Sequence, residues 1–224
     1  MILMAAASRT SNSPAMPRTA PVVFVVDDDI SVRESLELLI RDKGWRPELF
    51  ESAQSFLAHE RSHLPSCLVL DVNLPDLNGL ELQQQIASVS SLLPIVFVTG
   101  YGDIPMSVRA MKAGAAEFLT KPFDAEAMIQ AIESALSKSQ KALEKDAMKA
   151  VLRERFASLS KREREVMSLV VRGFMNKQVG GELNISEITV KAHRGRVMQK
   201  MRAITFVELV NIATELGMAT SSKK

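Results

Sequence analysis

Cysteine is nearly absent from this chain, and long apolar runs are missing altogether. The single cysteine, Cys67, excludes an intrachain disulfide framework and a metal site built from several cysteines, and it is typical of a reducing compartment. No apolar stretch approaches the roughly 18 to 20 residues that a membrane-spanning helix requires. The residues that are present, 46% hydrophobic and 24% charged, are ordinary for a folded globular protein and exclude a mainly disordered chain.

Proline and glycine are missing from a long central part of the chain. All nine prolines lie at or before Pro122, and no glycine occurs between Gly114 and Gly173. Residues 124–157 are therefore predicted to run as one helix through the polar stretch 137–149, because nothing there breaks a helix. We interpret this helix as a solvated linker and keep an independent coiled coil as the alternative.

Charge is divided unevenly along the chain. Residues 1–135 carry 10 Lys and Arg against 17 Asp and Glu, a net charge of −7, whereas residues 136–224 carry 18 against 9, a net charge of +9. An acidic half joined to a basic half indicates two domains with different partners. The basic half has the charge expected of a nucleic-acid-binding surface.

The acidic half is predicted to be a doubly wound α/β domain at residues 21–136. Residues 1–20 lack periodicity and are expected to form a flexible tail, with no signal peptide and with Met16 as a second candidate start. Beyond the tail, apolar runs alternate with amphipathic stretches, which indicates strands buried on both faces of a parallel sheet. The predicted strands are Val22–Val26, Pro47–Phe50, Cys67–Asp71, Pro94–Gly100 and Ala116–Thr120.

The basic half is predicted to be an all-α domain at residues 157–220, preceded by a helical linker at 137–156. Its apolar runs are short, and each follows a residue that can cap a helix. The predicted caps are Ser160 with Glu163, Thr205 with Glu208, and Ser186 before a helix at Glu187–Met201.

The helix predicted at Glu187–Met201 has two different faces. The face predicted to pack inward is formed by Val190, His193, Val197 and Met201. His193 is accordingly interpreted as a core or capping residue rather than a ligand. The opposite face is formed by Ile188, Lys191, Ala192, Gly195 and Gln199. Its small residues would let the helix backbone approach a partner closely.

Side chains with metal and phosphate chemistry follow the ends of four predicted strands. In open α/β sheets, ligands bind beyond the carboxyl ends of the strands. Neighbouring carboxylates repel each other, which a hard cation such as Mg²⁺ relieves, and a lysine and a hydroxyl suit a phosphoryl group. A carboxylate can itself accept phosphate. Each residue alone could be a helix cap or a surface lysine, but the set points to one site: Asp27, Asp28, Asp71, Thr99 and Lys121.

Residues 22–136 resemble the receiver domain of two-component response regulators. The resemblance rests on "VVFVVDDD", "CLVLDVNLPDLNGLEL" and "PIVFVTGYGDIPMSVRAMKAGAAEFLTKPF", which together span the domain. It implies a flavodoxin-like, five-stranded parallel sheet and phosphorylation of Asp71 by a sensor histidine kinase. It also implies that Asp28, Asp71 and the backbone carbonyl of Asn73 bind Mg²⁺, with Asp27 acting through water.

The same resemblance implies roles for residues at the last two strands. Thr99 and Lys121 would hold the phosphoryl oxygens, and the Lys121–Pro122 bond would be cis. Phe118 matches an aromatic switch that turns inward as Thr99 moves toward the phosphate, although an ordinary strand Phe is the open alternative. Phosphorylation would bias the adjacent loops and the helix at 103–113, which with the last strand and the following helix is expected to form a dimer face.

Residues 155–217 resemble the helix-turn-helix output domain of the LuxR (NarL/FixJ) type. The matching segment is "LSKREREVMSLVVRGFMNKQVGGELNISEITVKAHRGRVMQKM". The helix Glu187–Met201 is therefore the one expected in the major groove of promoter double-stranded DNA. Lys191 is expected to contact bases, and most of the others phosphates. The predicted DNA-binding residues are Lys177, Thr189, Lys191, Arg194, Arg196 and Lys200.

Glycines depart from the family pattern in this half. Gly180 and Gly181 lie inside the helix before Glu187–Met201, where alanine would be a better helix former, and Gly195 lies within that helix. Each is expected to cost up to about 1 kcal/mol relative to alanine. We therefore expect an output domain of low stability whose helices become more ordered when it binds DNA.

These features together predict a cytoplasmic, phosphorylation-activated transcription regulator that dimerises and works with RNA polymerase. The main alternative keeps the receiver but gives the helical half a protein- or RNA-binding role. A haloacid-dehalogenase phosphatase is excluded because Asn73 stands where a second Asp is required, and no Walker A loop is present. Self-catalysed phosphorylation and dephosphorylation of Asp71 is the only catalysis expected.

Overall fold

A computed structural model describes residues 19–60, 63–89, 93–100 and 103–218. The flexible tail predicted at residues 1–20 lies almost wholly outside the described residues. The candidate start at Met16 and the predicted domain end at residue 220 also lie outside them. The chain divides into two units, Met1–Leu143 and Glu144–Lys224. Within the described ranges, no helix has the length and apolar content needed to cross a membrane.

The first unit is a parallel sheet flanked by helices. Five strands pair in the order β2-β1-β3-β4-β5, and every pair is parallel. The doubly wound α/β fold is therefore confirmed. Its elements are β1 (Val22–Val26), α1 (Ile30–Asp42), β2 (Arg46–Phe50), α2 (Ala53–Leu57), β3 (Ser66–Asp71), α3 (Gly79–Val89), β4 (Ile95–Thr99), α4 (Ile104–Lys112), β5 (Glu117–Thr120) and α5 (Ala125–Ala157).

Alternating strand residues pack into two apolar layers, one on each face of the sheet. On one face, Phe24 and Phe97 pack with Leu82 of α3. On the other, Val25 packs with Ile132 of α5 and with residues of α1. Because the three central strands are buried on both sides, their sequences are apolar without alternation.

The two edge strands are less buried than the apolar runs of the sequence indicate. All of β2 is half-buried, and in β5 both Glu117 and Thr120 are exposed. The reason is their position, since an edge strand has a neighbour on one side only. The exposed edge at β5 lies beside α4.

Helix α5 is a single helix of 33 residues, as the lack of proline and glycine predicts. Within the first unit, Ser139 of α5 is buried, and its hydroxyl accepts a hydrogen bond from the Ser66 backbone N–H at 3.1 Å. The helix is thus anchored to β3 beyond residue 136, the predicted end of the receiver. The predicted linker bounds and the coiled-coil alternative stay predictions.

The second unit is helical and begins within α5. Ser160 and Glu163 form the predicted capping box. Thr205 also caps its helix, but Glu208 accepts from the Ile204 backbone N–H at 2.8 Å, one residue earlier than a capping box requires. The remaining helices are α6 (Lys161–Val170), α7 (Asn176–Leu183), α8 (Glu187–Met201) and α9 (Phe206–Glu215).

Candidate functional sites at the acidic sheet edge and on helix α8

Three consecutive aspartates after β1 have three different environments. Asp27 is almost fully buried, and its Oδ1 accepts a hydrogen bond from the Asp29 backbone N–H at 3.0 Å. Asp28 is exposed. Asp29 begins α1, where its carboxylate accepts from the Ser31 backbone N–H at 2.8 Å. Asp29 is thus an ordinary helix cap, which leaves Asp27 and Asp28 for chemistry at the sheet edge.

Asp71 meets Asp27 and Asp28 at this edge because β1 and β3 are neighbouring parallel strands. One carboxylate oxygen from each of the three residues lies within 4.8 Å of the others. Asp71 is itself 7% exposed, so a reactant can reach only a small part of it. The structure therefore brings together the three carboxylates that the strand ends indicated.

Lys121 forms ion pairs with two of these carboxylates. Its Nζ donates to Asp27 Oδ2 at 2.6 Å and to Asp71 Oδ2 at 2.7 Å. The Lys121 backbone N–H donates to the Thr99 carbonyl at 2.7 Å, and the Lys121–Pro122 bond is cis. The ammonium group is thus fixed at the end of β5, directly over the carboxylate that is predicted to be phosphorylated.

For both Asp27 and Lys121, burial and charge pairing shift the pKa in opposite directions. Burial raises the pKa of Asp27, and the hydrogen bond from Lys121 offsets only part of that rise. For Lys121, burial alone would lower the pKa, but the hydrogen bonds to Asp27 and Asp71 outweigh it and raise the pKa. The lysine therefore stays charged beside the two carboxylates.

The donor set fits a magnesium ion. Three carboxylates supply hard oxygen atoms, which Mg²⁺ prefers, and an exposed Asp28 leaves one side open for water and phosphate oxygens. A divalent cation would also relieve the repulsion between these carboxylates. Asp28 and Asp71 would hold such an ion directly.

Asn73 connects the acidic cluster to Thr99. Its backbone N–H donates to Asp71 Oδ1 at 3.0 Å, and its side-chain Nδ2 donates to Thr99 Oγ1 at 3.2 Å. Thr99 is fully buried at the end of β4. The hydroxyl of Thr99 is therefore linked to Asp71 through Asn73, whereas a role for the Asn73 carbonyl in metal binding stays a prediction.

Gly79 lies close to the backbone of Asp71, although the sequence pattern assigned it no role. It is the first residue of α3, and its N–H donates to the Val72 carbonyl at 2.9 Å. A Cβ at this position would lie 2.5 Å from the Asp71 carbonyl oxygen, which is closer than real Cβ atoms approach. Only glycine lets α3 begin this close to Asp71, and because the contact spans eight positions of chain, no local pattern could reveal it.

Asp76 is a second residue that the sequence did not single out. Its carboxylate accepts from the Ala53 backbone N–H at 3.3 Å and from the Gln54 backbone N–H at 3.0 Å. These hydrogen bonds tie the loop after β3 to the first turn of α2. They also lower the pKa of Asp76, although burial acts in the opposite direction.

Phe118, the predicted switch residue, is half-buried in β5. Its ring lies 6.3 Å from that of Phe97. It borders a surface pocket of about 400 Å³ together with Ile104 and Met111 of α4. Ile104 is 80% exposed, so the surface next to the switch position is apolar. Its role as a switch stays a prediction.

A close turn joins α7 to α8 in the second unit. Asn184 ends α7 with a left-handed backbone, φ 53°, and Ser186 caps α8 by accepting from the Thr189 N–H at 3.2 Å. A Cβ on Gly180 would lie 2.8 Å from the Ile185 carbonyl oxygen. This corrects the prediction that alanine would be better at Gly180, because the turn requires glycine there. A Cβ on Gly181 would meet open space, so the predicted cost of this glycine relative to alanine is unaffected.

Helix α8 has the bounds and the two faces that the sequence predicts. Val190, Val197 and Met201 are fully buried, whereas Lys191 and Gly195 on the opposite side are exposed. His193 departs from its predicted stripe, since it is only half-buried. Its Nδ1 has no hydrogen-bond partner among the residues that the structure describes.

The predicted DNA-binding residues fall into two groups. Lys177, Lys191 and Arg196 are exposed, although Lys191 Nζ lies 3.2 Å from Glu187 Oε1. The other three have contacts within the domain. Thr189 Oγ1 lies 2.8 Å from Ser186 Oγ, Arg194 donates to Asn176 Oδ1 at 3.1 Å and lies over the Phe206 ring, and Lys200 donates to Glu163 Oε2 at 2.7 Å.

Comparison with known families and proteins identifies both domains. Residues 23–133 match the family described as response regulator receiver domain, and residues 157–213 match bacterial regulatory proteins of the luxR family. Nodulation protein W of Bradyrhizobium diazoefficiens is 46% identical over 91% of this chain and 89% of its own length. The response regulator protein TodT of Pseudomonas putida is 42% identical over 90% and 88%.

Solved structures agree as well. A structure of the response regulator StyR superposes with a TM-score of 0.76 at 47% identity, covering 88% of this chain and 99% of that one. Full-length FixJ from B. japonicum gives a TM-score of 0.51 at 38% identity, covering 89% and 98%. With a receiver sheet, an acidic edge and a luxR-type helical domain in one chain, this protein belongs to the DNA-binding transcriptional response regulators of two-component systems.

Proposed function

We propose that Asp71 accepts a phosphoryl group from a sensor histidine kinase and that this event controls binding of α8 to promoter DNA. The observation that carries the proposal is the position of Lys121, whose Nζ lies within 2.7 Å of both Asp27 and Asp71. A fixed ammonium group beside a nearly buried carboxylate is suited to stabilise the charge that develops on a transferring phosphoryl group.

In the proposed transfer, an Asp71 carboxylate oxygen attacks the phosphorus of a phosphohistidine. The new P–O bond forms as the P–N bond breaks, and the imidazole of the kinase leaves with the electron pair of that bond. Lys121 keeps its proton and donates hydrogen bonds to the phosphoryl oxygens. Asp28, Asp71 and the Asn73 carbonyl, with Asp27 through water, would hold a Mg²⁺ ion, which would supply positive charge to the same oxygens.

The phosphoryl group on Asp71 would carry close to two negative charges and would lie near the Thr99 hydroxyl and the Phe118 ring. The Thr99 hydroxyl, now within 3.2 Å of Asn73 Nδ2, donates to a phosphoryl oxygen in the phosphorylated state. Movement of Thr99 lets Phe118 turn inward beside Phe97. We infer that this switch biases α4 and the neighbouring edge of the sheet.

The surface next to the switch supports dimerisation of the phosphorylated protein. Ile104, Val108 and Met111 of α4 are 80%, 44% and 45% exposed. An apolar helix face beside an exposed edge strand is a suitable dimer contact. The dimer then presents two copies of α8 to promoter DNA and acts with RNA polymerase in the cytoplasm, with no catalysis other than phosphorylation and dephosphorylation of Asp71.

Intact-mass measurement on the full chain tests the acceptor residue. With Mg²⁺ and acetyl phosphate, the wild-type chain is expected to gain one phosphoryl group, and the Asp71→Asn variant none. Asp29→Asn is the matched control, because Asn caps a helix as well as Asp does and Asp29 lies outside the acidic cluster. Phosphorylation of Asp71→Asn, or its absence in the wild type, would contradict the proposal.

A further inference from the structure

Helix α8, all of which the structure describes, has one large apolar side chain on its exposed face. Ile188 is 80% exposed in the first turn of the helix. Lys191 and Ala192 follow on the same face, one turn later. The apolar side chains of Val190 and Val197 point the other way and are fully buried.

Ile188 contributes little to the fold. It lies outside the apolar core of the helical unit, to which Val190 and Met201 belong. A β-branched residue also has a lower helix propensity than alanine or lysine, so an exposed position in a helix does not favour it. The side chain is instead available for a contact with another molecule.

The surroundings of Ile188 identify the kind of contact. The N-terminal residues of a recognition helix are the ones that contact base edges in the major groove. A Cβ on Gly195 would meet no neighbouring atom within 4 Å, and Ala192 carries one methyl group, so the helix backbone can approach the groove. In that groove, the apolar group on the base edges is the 5-methyl of thymine.

We propose that Ile188 packs against a thymine 5-methyl group and thereby sets the base preference at one position of the bound duplex. This inference rests on the proposed binding of α8 in the major groove. It adds an apolar specificity contact to a surface whose predicted contacts are cationic or hydroxyl side chains.

Replacement of thymine by deoxyuridine tests the contact, since it removes only the methyl group. The probe is a duplex selected from a random pool by the full chain with Mg²⁺ and acetyl phosphate. At one thymine, deoxyuridine is expected to weaken wild-type binding by about fourfold, the value for one buried methyl group. The Ile188→Ala variant is expected to bind the thymine duplex more weakly and to bind the thymine and deoxyuridine duplexes equally well. The Ile188→Val variant is expected to keep most of the wild-type preference for thymine.

Ile204→Ala is the matched control, because Ile204 is 88% exposed but lies between α8 and α9. It should keep the wild-type distinction between thymine and deoxyuridine. Specific binding that is equally sensitive to deoxyuridine in wild type and Ile188→Ala, or insensitive in both, would overturn this inference and leave the proposed function intact. Failure of the wild type to select any duplex would overturn both.

Discussion

The acidic edge of the sheet and the exposed face of α8 are built in opposite ways. At the edge, Asp27 and Asp71 are buried and both pair with Lys121, whose Nζ lies 2.6 Å from Asp27 and 2.7 Å from Asp71. On α8, Lys191 and Arg196 are exposed, and the closest partner of Lys191 is a surface Glu187. The first site depends on several chain segments at once, whereas the second depends on the face of one helix.

This difference predicts different responses to substitution. Removing one member of a buried charge cluster leaves the others uncompensated, so effects at the acidic edge should be large and cooperative. Exposed ion pairs contribute roughly 0 to 1 kcal/mol, so changes on α8 should alter DNA binding while leaving the fold intact.

The largest effect is expected from Lys121→Met in the receiver. Two nearly buried carboxylates would lose their counter-charge, and the free energy of unfolding should fall by about 3 kcal/mol without Mg²⁺. Added Mg²⁺ should restore part of this loss, because the same carboxylates bind it. Urea unfolding with and without Mg²⁺ measures both quantities.

Lys112→Met is the control for this prediction, since Lys112 is exposed in the last turn of α4. It should change stability by no more than about 0.5 kcal/mol. If Lys121→Met were as mild as Lys112→Met, the ion pairs at the acidic edge would not have the energetic role assigned to them.

A smaller effect on stability is expected when either of two adjacent glycines in α7 is replaced by alanine. Gly180→Ala should destabilise the helical unit by about 1 to 3 kcal/mol, because its Cβ would clash with the Ile185 carbonyl. Gly181→Ala should stabilise it by up to about 1 kcal/mol, because that Cβ meets open space. Hydrogen exchange of α7 and α8 in the full chain measures both, and equal effects of the two substitutions would show that the close turn is not what requires glycine.

The smallest effect is the expected pH dependence of the stability of the helical unit. Hydrogen bonds from Lys200 and from the Ser160 backbone lower the pKa of Glu163 below its usual 4.5. Glu163 should therefore stabilise the helical unit above about pH 4.5, and this contribution should be lost as the pH falls through the lowered pKa. Hydrogen exchange of α6 between pH 5 and pH 3 should show the loss.

The Glu163→Gln variant should lack this pH dependence, at a cost of about 1 kcal/mol at neutral pH. Glu165→Gln is the control, because the Glu165 side chain is partly exposed and pairs with Arg162 on the surface. A pH profile of Glu163→Gln that matched the wild type would assign the effect to other groups.

The two sites also differ in how far the sequence predicts them. Strand ends and helix faces follow from local periodicity, so Asp71, Lys121 and the bounds of α8 could be predicted. Gly79 could not be assigned a role, because its need for glycine arises from the carbonyl of Asp71 on another element. The engagement of Lys200 by Glu163 likewise joins two helices, and periodicity contains no information about such a contact.

The central claim is that the state of Asp71 controls DNA binding by α8. Its most direct test is the affinity of the full chain for a selected duplex at fixed salt, with and without acetyl phosphate. The wild type should bind about 5-fold to 150-fold more tightly when phosphorylated, the usual range of coupling between two sites, whereas Asp71→Asn should not respond. Equal affinity of phosphorylated and unphosphorylated wild type would contradict the account.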